Sequence, residues 1–375
     1  MSYQRDLLMK TFLRLLVFLA SGCMVLSGGL YAQGYNDSSG TASLPLSTEN
    51  LFDSDDSLTI RLTGNISGLM NDRRDNPASY PLILSYKADN GDEISLSIQA
   101  KTRGHFRRTM GSCTYPPLLL QFSKSDTLAS SIFKQQRKLK LVMPCRGDEY
   151  IIREWLAYKI YNLVTPQSFR ARLVAIELND TKKKKTTPPF YGMLLEEDQQ
   201  MAKRNHDVLI KRQARPEQTE PAAFIKMAVF QYLIGNTDWS VQYQNTKLVA
   251  ADSNSIPVVV PYDFDQSGVV NTPYAKPAKE LEMNSVRERR YRGYCMEDME
   301  RFDEAVALYN NIKPAIYKLY TDCPLLDAKY IKSTTQYFDE FYKTINDPSV
   351  LKKEFGYPCE KNGTERVVIR GLKED

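Results

Sequence analysis

The segments IGNTDWSVQYQNTKLV, residues 234–249, and IPVVVPYDFDQSG, residues 256–268, decide how the rest of the chain is read. A polar turn, residues 250–255, separates them. Asp238 and Asn245 lie on the loop that leaves an apolar helix, and Asp263 and Asp265 follow directly on the β-branched run Val258 to Val260. Apolar elements that deliver oxygen ligands to adjacent loops suit a hard cation such as Mg²⁺ or Mn²⁺, which prefers oxygen ligands and keeps several waters. One aspartate then remains free to act as a base. The same residue types also cap helices and end strands, so a reading as plain turns stands beside the chemical one.

Working outward, the chain presents in order RGHFRR (103–108), PPLLLQF (116–122), KLKLV (138–142), REWLAYKIY (153–161) and FYGMLLEED (190–198), and then the two acidic loops. From Thr102 to Gly268 this order resembles the CotH-type atypical kinases, in which an aspartate precedes an acidic WDxD-like motif. The sequence departs from the wider kinase pattern in having no HRD, in carrying DFD where DFG is usual, and in lacking a glycine-rich phosphate loop. The resemblance implies an α+β protein with a protein-kinase-like bilobal fold. A β-rich N-lobe would span residues 57–198, a mainly helical C-lobe residues 199–347, and a tail residues 348–375. It also implies Mg²⁺- or Mn²⁺-dependent phosphoryl transfer from ATP to a protein or glycan hydroxyl. Asp238 would take the hydroxyl proton, while Asn245 and Asp263 would hold the metal, with Asp265 replacing or assisting Asp263. Lys140 would contact the phosphates, with Glu154 as its acidic partner. Two rivals use the same residues: a binding protein of the cell envelope that has lost turnover, and a metal-dependent phosphoesterase.

Composition bounds these readings. With 375 residues, 42% hydrophobic and 11% aromatic, the chain has material for two domains and a packed core. Its formal charge is +5, and the first 32 residues carry Arg5, Lys10 and Arg14 against Asp6, which leaves the remainder near +3. That surplus is too small to argue for a nucleic-acid partner. The two histidines, His105 and His206, give little material for a histidine-based triad or a multi-histidine metal site.

The N-terminus reads as a targeting segment. Arg5 and Lys10 precede an apolar run from Phe12 to Leu30 that ends in Leu-Tyr-Ala-Gln, the pattern of a secretory signal cut near Ala32. A lipoprotein reading would instead use Cys23. The expected location is secreted, periplasmic or otherwise in the envelope, with no membrane-spanning helix after cleavage. Residues 33–56, rich in Ser, Gly, Asn and Asp, read as a flexible linker. In an exported chain Cys113, Cys145, Cys295, Cys323 and Cys359 are disulfide candidates. Cys113 and Cys145 flank two predicted strands and so form the preferred pair.

Along the rest of the chain, Leu58 to Leu62 and Ile94 to Ile98 alternate as strands, and Pro117 to Phe122 and Leu139 to Met143 read as buried strands. Together they predict a mostly antiparallel β-unit. Asp148 to Leu163 predicts a helix whose apolar stripe is Ile152, Trp155, Leu156, Ile160 and Leu163; helical counting sets Glu154 opposite it, toward solvent. Arg172 to Leu178 and Phe190 to Leu195 predict two strands joined by a lysine-rich tip. Helices are expected over Glu217 to Ile234, Asp298 to Tyr320 and Leu326 to Ile345. Arg287, Arg289, Arg290 and Arg292 are read either as a patch for an acidic or phosphorylated partner, as the kinase-like resemblance implies, or as a solvent-facing, salt-bridged segment. TRGHFRR, residues 102–108, is read both as a phosphate-contacting loop and as an exposed turn.

Overall fold

A computed structural model describes residues 50–294 and 298–356, and the alternation of the early strands sets its architecture. In β1 (Leu58–Gly64) Leu58, Ile60 and Leu62 are buried while Thr59 and Arg61 face outward. Helix α1 (Ile66–Asn71) leads to β2 (Tyr80–Lys87) and β3 (Glu93–Thr102), where Ile94, Leu96, Ile98 and Ala100 point inward and Ser95, Ser97 and Gln99 outward. Helix α2 (Phe106–Thr109), β4 (Leu118–Phe122), α3 (Asp126–Ala129) and β5 (Lys138–Val142) follow. The long helix α4 (Glu149–Val164) then precedes β6 (Ala171–Asp180), the two-residue β7 (Lys185–Thr186) and β8 (Phe190–Leu195).

These strands pair in the order β1-β2-β3-β4-β5-β8-β6, and β6 returns to pair with β1, which closes a seven-stranded barrel with β7 appended to β6. The closing pair is parallel, in register from Leu58 opposite Val174 to Gly64 opposite Asp180. Ile60, Leu96, Leu120, Leu141, Ile176 and Leu194 are among the side chains that fill the interior. A barrel of this size has room for little else.

This closure corrects the predicted fold. The chain is not a bilobal kinase fold with a β-sheet N-lobe and a helical C-lobe, because the β-unit is a closed barrel. The antiparallel neighbours were legible from alternation, but the parallel β1–β6 pair joins segments that lie more than a hundred residues apart, and no local pattern announces such a partner. Strand β2 was also missed, since Pro81 follows its first residue and interrupts the strand signal.

Helix α4 lies on the outside of the barrel. Val142, Ala171, Leu173, Met193 and Leu195 belong to a second cluster with α4 and the later helices. Strands β6 and β8 are therefore buried on both faces. The expected stripe is corrected in part: Ile152, Leu156 and Ile160 are buried, but Trp155 is only half-buried and Leu163 is exposed. Glu154, set toward solvent by helical counting, is 1% exposed. Ile151, Ala157, Tyr158 and Tyr161 are buried as well, so the helix is covered on nearly all sides and has no single apolar stripe.

The second half holds α5 (Asp198–Arg204), β9 (Val208–Leu209), α6 (Pro221–Ile234), β10 (Thr246–Ala250), β11 (Val258–Pro261), α7 (Asp303–Thr321), α8 (Ala328–Ile345) and α9 (Pro348–Phe355). Strands β11, β10 and β9 form a small antiparallel sheet. Helix α9 falls in the stretch assigned to the tail and buries Leu351 and Phe355. At the other end, the predicted signal and residues 33–49 of the predicted linker lie outside the described residues, and within 50–56 Leu51 is buried. A disulfide joins Cys113 and Cys145, as the flanking of β4 and β5 predicted. Cys295 and Cys359 lie outside the described residues. No helix among the described residues is long and apolar enough to cross a membrane.

Candidate active site

Helix α6 ends at Gly235, whose φ of 67° is left-handed and where an added Cβ would lie 2.1 Å from the Tyr337 hydroxyl. Glycine is the residue that tolerates such a helix end. The chain then turns through Asn236, whose Oδ1 accepts from the Asp238 amide at 3.0 Å and whose carbonyl accepts from the Trp239 indole at 3.2 Å. Trp239 is buried, and Arg292 donates to the carbonyls of Thr237 and Trp239. The loop that carries Asp238 is thus fixed from several sides.

Asn245 comes next to Asp238 because residues 240–244 form a tight turn closed by Ser240 and Gln244. Asn245 Nδ2 donates to the Asp238 carbonyl at 2.6 Å and to its Oδ2 at 3.0 Å, and Gln244 Nε2 donates to Asp238 Oδ1. With its amide hydrogens directed at Asp238, Asn245 has Oδ1 left for a ligand. Strands β10 and β11 pair Thr246 with Pro261, and the Tyr262 amide donates to the Asn245 carbonyl at 3.0 Å, which places Asp263 beside Asn245. Both residues have left-handed backbones, φ 57° at Asn245 and 63° at Asp263. Asn and Asp accept that conformation better than other side-chain-bearing residues, and such strain gathers at functional sites. The Asp263 amide donates to the Tyr158 hydroxyl of α4 at 2.8 Å, and Phe264 packs on Tyr158 and Phe230.

The carboxylates converge on one guanidinium. Arg107 of α2 is buried and lies 3.2 Å from Asp263, 3.3 Å from Asp265 and 3.6 Å from Glu154. Asp265 also accepts from the Tyr274 hydroxyl at 2.9 Å and is 6% exposed, whereas the Asp263 side chain is 43% exposed. Asp263 is therefore the member of the DFD pair that faces the open cavity. Burial pushes Glu154 up to about 8, with Arg107 opposing and Asp265 and Asp263 adding to the rise. Burial raises Asp265 as well, again against Arg107. Asp238 is pushed up to about 6, by burial first and then by Asp263 and Asp265. Arg107 alone does not balance the three carboxyl groups around it, and Arg292 only partly offsets the rise at Asp238, so the cluster favours protons or a further cation.

Lys140 was expected to meet Glu154 and does not. Its Nζ lies 2.6 Å from Asp198 Oδ1 at the start of α5, and Lys247 reaches the other oxygen at 3.0 Å. Burial lowers Lys140, with Asp198 opposing. Burial also acts to raise Asp198, but the two lysines prevail and hold it below the usual carboxylate range. The register explains the exchange: Lys140 is on the outer face of β5 opposite Leu195 of β8, a short step from Asp198, while Glu154 is taken by Arg107.

All six predicted site residues, Lys140, Glu154, Asp238, Asn245, Asp263 and Asp265, line one cavity of about 590 Å³. Sequence reasoning missed Asp198, Lys247, Gln244 and Tyr274, which carry no motif of their own. Arg107 had a signal in RGHFRR, but its side chain is buried against three carboxylates, which neither reading of that stretch anticipated, while His105 is exposed. No group of three or more His, Cys, Asp or Glu side chains is set to hold a metal among the described residues. The donors that fit one are fewer: the Asp263 carboxylate and Asn245 Oδ1. Such a set suits Mg²⁺, which usually takes one or two carboxylates and completes its shell with water and substrate phosphate. Three of the four arginines at 287–292 bond backbone carbonyls: Arg287 that of Gly268, Arg289 those of Leu233 and Tyr337, and Arg292 those already named.

No protein-family model matches this chain, and no curated protein does. Among solved structures, the Helicobacter pylori proinflammatory kinase CtkA overlays with a TM-score of 0.39 at 12% identity, over 64% of this chain and 91% of that one. The likeness is to a kinase and it is weak; at that level neither the neighbour's fold nor its chemistry transfers to this chain.

Proposed function

We propose that this chain is a metal-dependent phosphotransferase that moves a phosphoryl group from a nucleotide such as ATP to a hydroxyl of a protein or glycan in the cell envelope. The observation that carries the proposal is the convergence of Lys140, Glu154, Asp238, Asn245, Asp263 and Asp265, from separate stretches of chain, on one cavity. Asp238, with a pKa near 6, is matched to accept a hydroxyl proton near neutral pH, where a general base works best. Gln244 and Asn245 hold its carboxylate in one orientation. Asp263 and Asn245 would hold the metal. Bound Mg²⁺ or Mn²⁺ would neutralise charge that builds on the transferred group. Lys140, already at the cavity wall, would exchange Asp198 for phosphate oxygens. The Cys113–Cys145 disulfide agrees with an oxidising location outside the cytoplasm.

A second reading has one observation in its favour. Arg107 places a cation against Asp263, Asp265 and Glu154, which is the charge a metal would otherwise supply. A binding protein that has lost turnover would keep that arrangement. The two separate in a single experiment: the purified chain is melted with and without Mg²⁺-ATP, then incubated with labelled ATP, Mg²⁺ and an envelope extract. The phosphotransferase requires a raised melting temperature, since a ligand of the native state stabilises it, together with label on an acceptor. Stabilisation without transfer supports the binding protein, and no stabilisation defeats both.

A further inference from the structure

A second cavity, about 940 Å³, is lined in part by Gln199, Gln200, Lys203 and Arg204 of α5 and shares no lining residue with the acidic site. We propose that it binds an acidic saccharide. Its wall includes Gln136, whose side chain is 1% exposed and whose Oε1 and Nε2 both lack a hydrogen-bond partner among the described residues. The buried Oδ1 of Asn50, on the same wall, also has none among the described residues. Buried polar groups in folded proteins are nearly always satisfied, so a carboxamide left open on both atoms at a cavity wall marks a place for a ligand to complete it. A primary amide offers a donor and an acceptor side by side, which matches adjacent hydroxyls on a sugar ring. Gln135, Gln199 and Gln200 add further carboxamides, and the half-buried Phe52 adds an apolar face.

The charges specify an anion. The acidic residues of the wall are engaged: Glu196 with Arg204 at 3.0 Å, Asp53 with Arg170 at 3.6 Å, and Glu197 with the first amides of α5. Arg137, Lys138 and Lys203 have no carboxylate within ion-pair distance among the described residues. A nucleic acid would need more aromatic surface than Phe52 provides. An acidic peptide would be expected to use a free strand edge, but β5 and β8 are each paired on both sides in the barrel. The volume lies at the upper end of the range for small-molecule sites and admits a short oligosaccharide.

The proposal is independent of phosphoryl transfer, and calorimetry on the full chain tests it. The probes are a tetrasaccharide of alternating hexuronate and N-acetylhexosamine, maltotetraose as the neutral control, and a tetraglutamate peptide as the acidic one. The uronate tetrasaccharide should bind, and the two controls should bind at least tenfold more weakly. Gln136→Leu keeps the side chain's bulk and should weaken binding at least tenfold, and the surface change Lys203→Glu should do the same. Asp263→Asn, in the separate acidic cavity, should leave it unchanged. Absence of tetrasaccharide binding, equal binding of either control, or full affinity in both Gln136→Leu and Lys203→Glu would overturn the proposal.

Discussion

At the scale of single residues, substitutions at Asp238 and Asp263 test the proposed division between a base and a metal ligand. Asparagine suits the left-handed backbone of Asp263 as well as aspartate does, so Asp263→Asn changes charge with little change of conformation. It removes the exposed anionic donor, and Mg²⁺-ATP affinity measured by calorimetry should fall at least tenfold. Asp238→Asn keeps the position but cannot accept a proton, so turnover should fall by about 10²–10⁴ while Mg²⁺-ATP affinity stays near that of the parent. If Asp263→Asn binds like the parent and Asp238→Asn also turns over like it, the acidic loops are structural turns. The identity of these residues was legible because Asp238, Asn245 and the DFD triplet stand next to apolar runs. Their company was not. Arg107 comes from the short helix α2, 156 residues away from Asp263, and Lys140 finds Asp198 across a strand pair, so both depend on how distant elements meet in space.

At the scale of elements, α4 shows what periodicity can and cannot reveal. Its ends were predicted to within a residue, because helix-forming sequence and flanking turns are local properties. Which faces are buried depends on having the barrel on one side and α6 and α7 on others, and a helix covered all round has no stripe to read. Leu156→Ala, at 1% exposure, should cost about 2–5 kcal/mol in a denaturant melt. Trp155→Ala should cost less than Leu156→Ala, since the ring is half-buried and its indole nitrogen donates to the Ala171 carbonyl at the rim. The opposite order would mean that the barrel face and not the helical layer carries α4. The Cys113–Cys145 disulfide closes a loop with a sequence separation of 32 around β4 and β5. Replacing both cysteines by serine should lower stability by about 2–4 kcal/mol, measured under non-reducing conditions; an unchanged melt would mean that the strand pair is held without it.

At the scale of the whole molecule, the barrel and the helical layer are built from the same strands. Leu173 and Met193 belong to the helical cluster, and their neighbours Val174 and Leu194 to the barrel interior. Opening the barrel should therefore unfold the helices with it. Arg61 tests this, because β1 is paired with β2 at Ser85 and with β6 at Glu177. Proline at 61 removes a backbone donor from a strand that has neighbours on both sides, a position where proline is essentially excluded. Arg61→Thr is the control: it deletes the exposed ion pairs with Glu177 and Glu93, which are worth at most about 1 kcal/mol, and keeps the strand intact. Both tryptophans, Trp155 and Trp239, sit in or against the helical cluster, so their fluorescence reports the half of the molecule that the substitution does not touch. In Arg61→Pro the fluorescence midpoint should fall together with the far-UV circular dichroism midpoint, in one transition, while Arg61→Thr stays near the parent. A fluorescence transition left at the parent's midpoint, with only the dichroism shifted, would show that the helical layer stands without the closed barrel.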